Sequence, residues 1–336
     1  MQRLNSMSYL SPTAINRYIK CPLIFFYNYV AGIKEPDPEE DEIDYRTFGT
    51  IYHNASEIIY ETITGISHDI PKDQRFLRQG VRVERKQIEN ILQTKGTLER
   101  IVDQVFMNDF FKGNIQKDKP EYNGLQLINR EVILLYLRQM LKVDMQLAPF
   151  IIRGMEGKVS TTMTINTSQG ERHVVIGGII DRMDEIDIDN NNHCIRVVDY
   201  KTGHTSPVKM NSMDDIFSHE KINGHSDNYL QAMLYSMIVS CSKDINPHGL
   251  PVSPALLFIQ RAGAKEYNPI LKIGSEQISD MSKWNDSFNS HLLSIITQMM
   301  EPNSNFEPTK DKATCKTCTY KHLCGQSNHE EYRNET

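Results

Sequence analysis

A chain of 336 residues, 39% hydrophobic and 24% charged, is long enough to bury a substantial core and too apolar to stay disordered. No apolar run approaches the roughly 20 residues of a bilayer span, and no apolar stretch follows the basic residue near the N-terminus, so neither a membrane protein nor a secretory leader is expected. That places the chain in the cytoplasm, where clustered thiols stay reduced. The net charge of −6 is not that of a dedicated basic nucleic-acid binder. Part of that acidity is concentrated between Glu35 and Asp44, which reads as a solvated loop, so local patches must decide on a nucleic-acid partner.

Ser11-Pro12 predicts a helix start, a serine N-cap followed by proline where no amide donor is lost. The aromatic run from Cys21 to Tyr29 predicts a second short helix, and Phe48 to about Ile63 a longer one carrying His53. Residues from about 72 to 148 read as helix throughout, with breaks near Gly96, between Gly113 and Gly124, and at Pro149. Ile133, Leu137, Met140 and Leu141 recur there at helical spacing and should face a core. The texture then alternates. Strands are expected over Lys158–Ile165 and Arg172–Ile180, joined by a turn at Thr167–Gly170, and over Cys194–Tyr200 after a turn at Asp189–Asn192. A helix over Asn228–Ser240, a strand over Leu256–Gln260 and a long helix over Glu276–Met300 follow. With no internal repeat, the order reads as one α/β domain over residues 1–336 with a helical insertion at 64–150.

Asp181 falls just past the end of one predicted strand, and Asp199 and Lys201 near the end of another. Two carboxylates converging from neighbouring strands can hold Mg²⁺, a hard cation that takes oxygen ligands. Lys201 projects to the same side of an extended strand as Asp199. There a lysine can orient or help deprotonate an attacking water and offset charge on a phosphate. An Asp-x-Lys triplet alone also marks ordinary solvated strand ends. Context separates this one: Gly177-Gly-Ile-Ile-Asp181-Arg182 upstream, Gln231-Ala-Met-Leu-Tyr235 downstream, and Gly49-Thr-Ile-Tyr-His53 on the earlier helix. Gln231 and Tyr235, at i and i+4, share one helix face and could reach a DNA backbone or the lysine.

That set resembles the PD-(D/E)XK nuclease superfamily, and within it the RecB-like branch. The resemblance implies a restriction-endonuclease-like core, a mixed β-sheet flanked by helices. It also implies His53, Asp181 and Asp199 as metal ligands, Lys201 serving the attacking water, and Gln231 and Tyr235 supporting them. Imidazole on the metal suits Mn²⁺ better than Mg²⁺. Related enzymes carry a further acid on the first core strand; Glu156 stands at that place, although nothing in its local sequence marks it out.

Cys315-x-x-Cys318-x₅-Cys324 lies in a polar, lysine-rich segment spanning 310–326, and Cys21 stands near the other end of the chain. Cys194 in a strand and Cys241 after a helix read as small buried residues. Four thiolates suit zinc, but zinc sites usually present two close pairs, whereas ferredoxin-type clusters use uneven spacings. The three-plus-one pattern resembles the iron–sulfur staple of AddB-type nuclease domains and of CRISPR-associated RecB-like exonucleases. It implies a [4Fe–4S] cluster on Cys21, Cys315, Cys318 and Cys324, with Zn²⁺ as the alternative, tying the first helix to the last segment. The opening from Leu10 to Pro22 and the chain length are closer to the AddB type.

The resemblance implies a DNA exonuclease acting on ends or single strands in double-strand-break repair and recombination, beside an AddA-type helicase–nuclease subunit. A non-catalytic DNA-binding scaffold of such a complex, and a CRISPR-associated exonuclease, are the other readings. For DNA contact, Arg75, Arg78, Arg82 and Arg85 would align as one stripe on a helix, either tracking phosphates or forming a solvated face. Lys310, Lys312, Lys316 and Lys321 surround the cysteine loop.

Overall fold

Ser11 accepts a hydrogen bond from the Ala14 amide and Pro12 takes the first helical position, opening helix α1 (Pro12–Lys20). The computed structural model describes residues 8–34, 43–67, 69–111, 120–189, 192–203, 209–264, 267–302 and 304–325. Most of the acidic segment (35–42) and the centre of the 189–192 turn lie outside the described residues. Asp44 caps α2 (Tyr45–Thr64), which stops at Gly65 in the left-handed conformation. A short strand β1 (Val81–Val83) precedes three helices, α3 (Arg85–Gln93), α4 (Thr97–Val105) and α5 (Gly124–Leu147). Then come β2 (Phe150–Thr167), β3 (Gly170–Asp189), β4 (Asn192–Lys201), α6 (Ser226–Cys241), β5 (Val252–Phe258) and α7 (Asn285–Met300).

The five strands form one sheet in the order β1-β2-β3-β4-β5, antiparallel except for the parallel β4–β5 pair. A parallel pair needs a crossover connection, and α6 lies within it. Alternation along the strands divides the interior between two faces. Val197, Leu256 and Phe258 pack with α1, α6 and α7, whereas Val198, Tyr200, Ala255 and Leu257 pack with α2, α4 and α5. Covered on both sides, β5 is buried along its whole length. The helical stretch between 64 and 150 thus supplies the cover for one face of the sheet. The result is an α/β fold, a five-stranded mixed sheet flanked by helices, consistent with a restriction-endonuclease-like core. Among the described residues no helix is long and apolar enough to cross a membrane.

Several expected boundaries move. The stretch from 72 is not helical throughout, because β1 interrupts it and pairs with Phe150–Ile152. Gly80, at φ +66°, brings the chain so close to β2 that a Cβ would stand 2.6 Å from the Ile152 carbonyl oxygen. Both β2 and β3 run well beyond the expected strands, so Asp181 lies inside β3 and not past its end. Their added residues include buried Arg153, Asp181, Arg182 and Asp184, polar groups that erase the hydrophobic alternation. The helix expected from Glu276 starts only at Asn285. Residues 276–277 pair with 272–273 instead, and the Asp280 side chain accepts the Ser282 amide in a short turn.

Gly177 shows how tightly β3 is held. A Cβ there would stand 2.1 Å from the Val159 carbonyl oxygen and 2.8 Å from Ser160 Cα, both backbone atoms. Gly177→Ala is therefore expected to destabilise the protein by about 1–3 kcal/mol, the usual cost of overpacking, seen as a lower urea midpoint. An unchanged midpoint would contradict this close approach.

Candidate active site

The site is built where the sheet ladder opens. Pairing between β3 and β4 ends at Arg182↔Val198, and one step further brings Asp181 level with Asp199. On the other side Met155↔Arg182 and Gly157↔Ile180 bracket Glu156 and Asp181. Three carboxylates from three neighbouring strands therefore stand at one level, about 4.8 Å apart strand to strand. Like charges opposite one another are destabilising. Cations gather around them.

Asp181 fills the fork itself, its Oδ2 accepting the Tyr200 amide at 2.7 Å. His53, from α2, puts Nδ1 3.4 Å from Asp181 Oδ1 and 3.5 Å from Glu156 Oε1. Gly49, one turn before His53, lies against Thr202, where an added Cβ would come 3.9 Å from the hydroxyl. Lys201 Nζ is 2.7 Å from Asp199 Oδ2 and donates at 3.4 Å to Gln231 Oε1 on α6. Lys72 Nζ stands 3.5 Å from Glu156 Oε2.

Burial works against the His53 imidazolium, but Asp181 and Glu156 outweigh it and hold its pKa at about 10. Burial also works against the Asp181 carboxylate, yet His53, Lys201 and the Tyr200 amide keep it below the usual range. Burial pushes Asp199 up to about 6, with Lys201 opposing and Asp181 adding to the rise. Lys201 is raised despite its burial, because Asp199 and Asp181 favour the ammonium. At neutral pH it is a cation, suited to offsetting phosphate charge and not to accepting a proton from water.

His53, Glu156 and Asp181 bring one nitrogen and two carboxylate oxygens within 4.8 Å of one another. This donor set fits Mg²⁺ or Mn²⁺, with imidazole favouring Mn²⁺. Asp199 stands beside the trio, held by Lys201. A family model described as the PD-(D/E)XK nuclease superfamily matches residues 9–325. The chain belongs to the PD-(D/E)XK nuclease superfamily. No curated protein matches the chain. PD-(D/E)XK membership implies a nuclease with DNA as substrate and Mg²⁺ or Mn²⁺ as the metal.

Within this PD-(D/E)XK fold, the structure brings Asp181, Asp199, Lys201, Gln231 and His53 together. Tyr235 is buried, and a Cβ on Gly178 would fall 2.2 Å from its hydroxyl oxygen, so it packs α6 closely onto β3. Glu156, indistinct in sequence, becomes a candidate ligand through register alone. Its φ of +48° is costly for a side-chain-bearing residue. Lys72 carried no sequence signal.

The arginine stripe does not form. Arg75 is buried and binds Glu57 and the Ile70 carbonyl, Arg78 sits in a loop, Arg82 lies on β1 beside Glu84, and Arg85 opens α3 paired with Glu89. The bend at Gly80 and the pairing of β1 remove the helix that would have aligned them.

Cys21, Cys315, Cys318 and Cys324 line one small pocket, and none is in a disulfide. The Thr309 amide donates to Cys21 Sγ at 3.3 Å and the Tyr320 amide to Cys318 Sγ at 3.3 Å. Burial and the neighbouring sulfurs push the Cys315 thiol up. Cys194 is buried as expected, but Cys241 is exposed at the end of α6, where the helix has already left the core.

Proposed function

We propose that this chain is a metal-dependent DNA exonuclease acting on ends or single strands during double-strand-break repair, beside an AddA-type helicase–nuclease subunit. The observation that carries the catalytic reading is the level row of Glu156, Asp181 and Asp199 with His53 and Lys201 against it. The RecB-like and AddB-type motif set supports the exonuclease and repair assignments. His53, Glu156 and Asp181, with Asp199 adjoining, are the residues to hold Mn²⁺ or Mg²⁺, which when bound supplies Lewis acidity toward the phosphate and the attacking water. His53 must shed its proton to ligate, so metal affinity is expected to weaken as pH is lowered. Lys201 places its ammonium against charge growing on the phosphate. Gln231 fixes the lysine tip, and Tyr235 fixes the helix that carries Gln231.

End-labelled linear duplex and single-stranded DNA, incubated with Mn²⁺ or Mg²⁺, test this directly. Stepwise shortening from ends, with closed circular DNA left intact, is expected. Cutting of closed circles as fast as linear DNA would replace the exonuclease with an endonuclease, and binding without cleavage would favour a scaffold.

The four thiols support a [4Fe–4S] staple. Cys324→Ser is expected to lower bound iron from about four per chain and to lower the melting temperature with it. Full iron content and unchanged melting would remove the staple.

A further inference from the structure

We propose that the groove beside β5 is a track for a single nucleic-acid strand leading to the acid–lysine centre; this rests on the nuclease reading above. The β4–β5 register sets Leu256 beside Asp199 and Phe258 beside Lys201, so these side chains share one face of the sheet. Leu256 and Phe258 line a groove of about 560 Å³. The segment returning along β5 extends this lining, paired to the strand by the Leu256 amide donating to the Pro269 carbonyl at 2.8 Å and the Leu271 amide to Pro254 at 3.0 Å. Tyr229, two residues before Gln231 on α6, also lines it. The groove thus begins one strand spacing, about 4.8 Å, from the strand that carries Asp199 and Lys201.

Its chemistry suits a polyanion with flat bases. Lys209, Arg261 and Lys272 line it, all three exposed, and no described acidic residue does. In a chain of net charge −6 this is a local reversal of sign. Two of its tyrosines are pinned by their hydroxyls. Tyr267 Oη donates to the Leu256 carbonyl and accepts the Phe258 amide, both at 2.7 Å, and Tyr229 bonds the Lys272 backbone. Tyr229 is buried in the groove floor, whereas the half-buried ring of Tyr267 is a fixed surface for base stacking, worth about 1–3 kcal/mol per base and indifferent to sequence. The volume is that of a small-ligand cleft, which admits part of one strand and not a double helix.

The test uses the full chain and the triple variant Lys209→Ser, Arg261→Ser, Lys272→Ser. Anisotropy of a fluorescein-labelled oligothymidylate of about 20 nucleotides is titrated with protein at several salt concentrations, without divalent metal. Affinity is expected to fall at least tenfold in the variant at low salt. The slope of log K against log salt should fall by about 2, from three lost phosphate contacts. Hydrolysis of bis(p-nitrophenyl) phosphate with Mn²⁺, a substrate too small to need the groove, should persist and so report an intact site. Unchanged oligothymidylate affinity in the variant, or no binding by the wild type, overturns the groove. So does loss of duplex affinity with single-strand affinity kept. If binding falls as expected but the wild type hydrolyses neither DNA nor the small diester, the groove stands and the nuclease reading fails.

Discussion

Replacing Lys201 by alanine is expected to slow Mn²⁺-supported DNA cleavage by about 10³-fold, near 4 kcal/mol of transition-state stabilisation. The side chain is the only described cation within bonding reach of Asp199, and its tip is fixed by Gln231. Truncation removes the charge proposed to face the scissile phosphate and also leaves the buried Asp199 without its partner. Asp199, already held at about 6, should then move further up and carry a proton at neutral pH, weakening its part in the site. The fold should survive, because the lysine tip is partly exposed and bonds no backbone group. Single-turnover cleavage by wild type and variant, at saturating Mn²⁺ and matched melting temperature, measures the effect. A loss below about tenfold would mean that Lys201 is not part of the chemistry.

Arg182→Met is expected to cost about 3–5 kcal/mol of stability and to lower the melting temperature by about 4–7 °C. Arg182 is 1% exposed and lies one residue beyond Asp181 on the opposite face of β3. Its guanidinium spans Asp144 on α5 with bonds of 2.7 and 2.9 Å and Asp184 with one of 2.8 Å, and it reaches the hydroxyls of Tyr60 and Tyr200 at 3.2 Å. Removing it leaves the buried Asp144 carboxylate with the Tyr60 hydroxyl but no cation, whereas Asp184 keeps two bonds from Arg196 at 2.8 Å. Arg182→Lys should recover only part of the loss, since an ammonium cannot span both acids in the same way. Tyr200 stands between Asp199 and Lys201, and Tyr60 shares α2 with His53, so the damage should also reach cleavage. Equal melting of wild type and Arg182→Met would refute the assignment of this network as a structural hub.

The same network sets the acid limb of stability. Burial opposes the Asp184 carboxylate, but Arg196 and Arg182 win and hold its pKa below the usual value. A depressed folded pKa means stability that is fully present above the unfolded value, about 3.9, and lost as pH falls through the folded one. Urea midpoints should therefore drop below about pH 4, and Asp184→Asn should flatten that fall while lowering the plateau.

The chemistry of this protein was legible wherever it depends on spacing along one element. Asp199 and Lys201 share a strand face, Gln231 and Tyr235 share a helix face, and His53 lies one turn after Gly49; these relations follow from periods of two and 3.6 residues. The donor types also stand in the sequence: imidazole and carboxylates for a hard or borderline cation, and thiols in a three-plus-one pattern for a soft one. What spacing cannot supply is register between strands and the path of the chain between elements. Glu156 joins the candidate ligand trio only because β2 pairs with β3 so as to set it level with Asp181. Lys72 reaches the site from a turn that nothing local distinguishes. The arginine stripe failed because one glycine and a three-residue strand redirected a stretch that helical spacing had made continuous. The long β2 and β3 were hidden because they bury charge: an Arg182–Asp144 pair is invisible to hydrophobic periodicity until α5 is folded over the sheet. Local chain geometry thus determined which groups carry the chemistry. The pairing of strands and the covering of both sheet faces decided which of them meet, because burial and like-charge proximity arise only between segments distant in the chain.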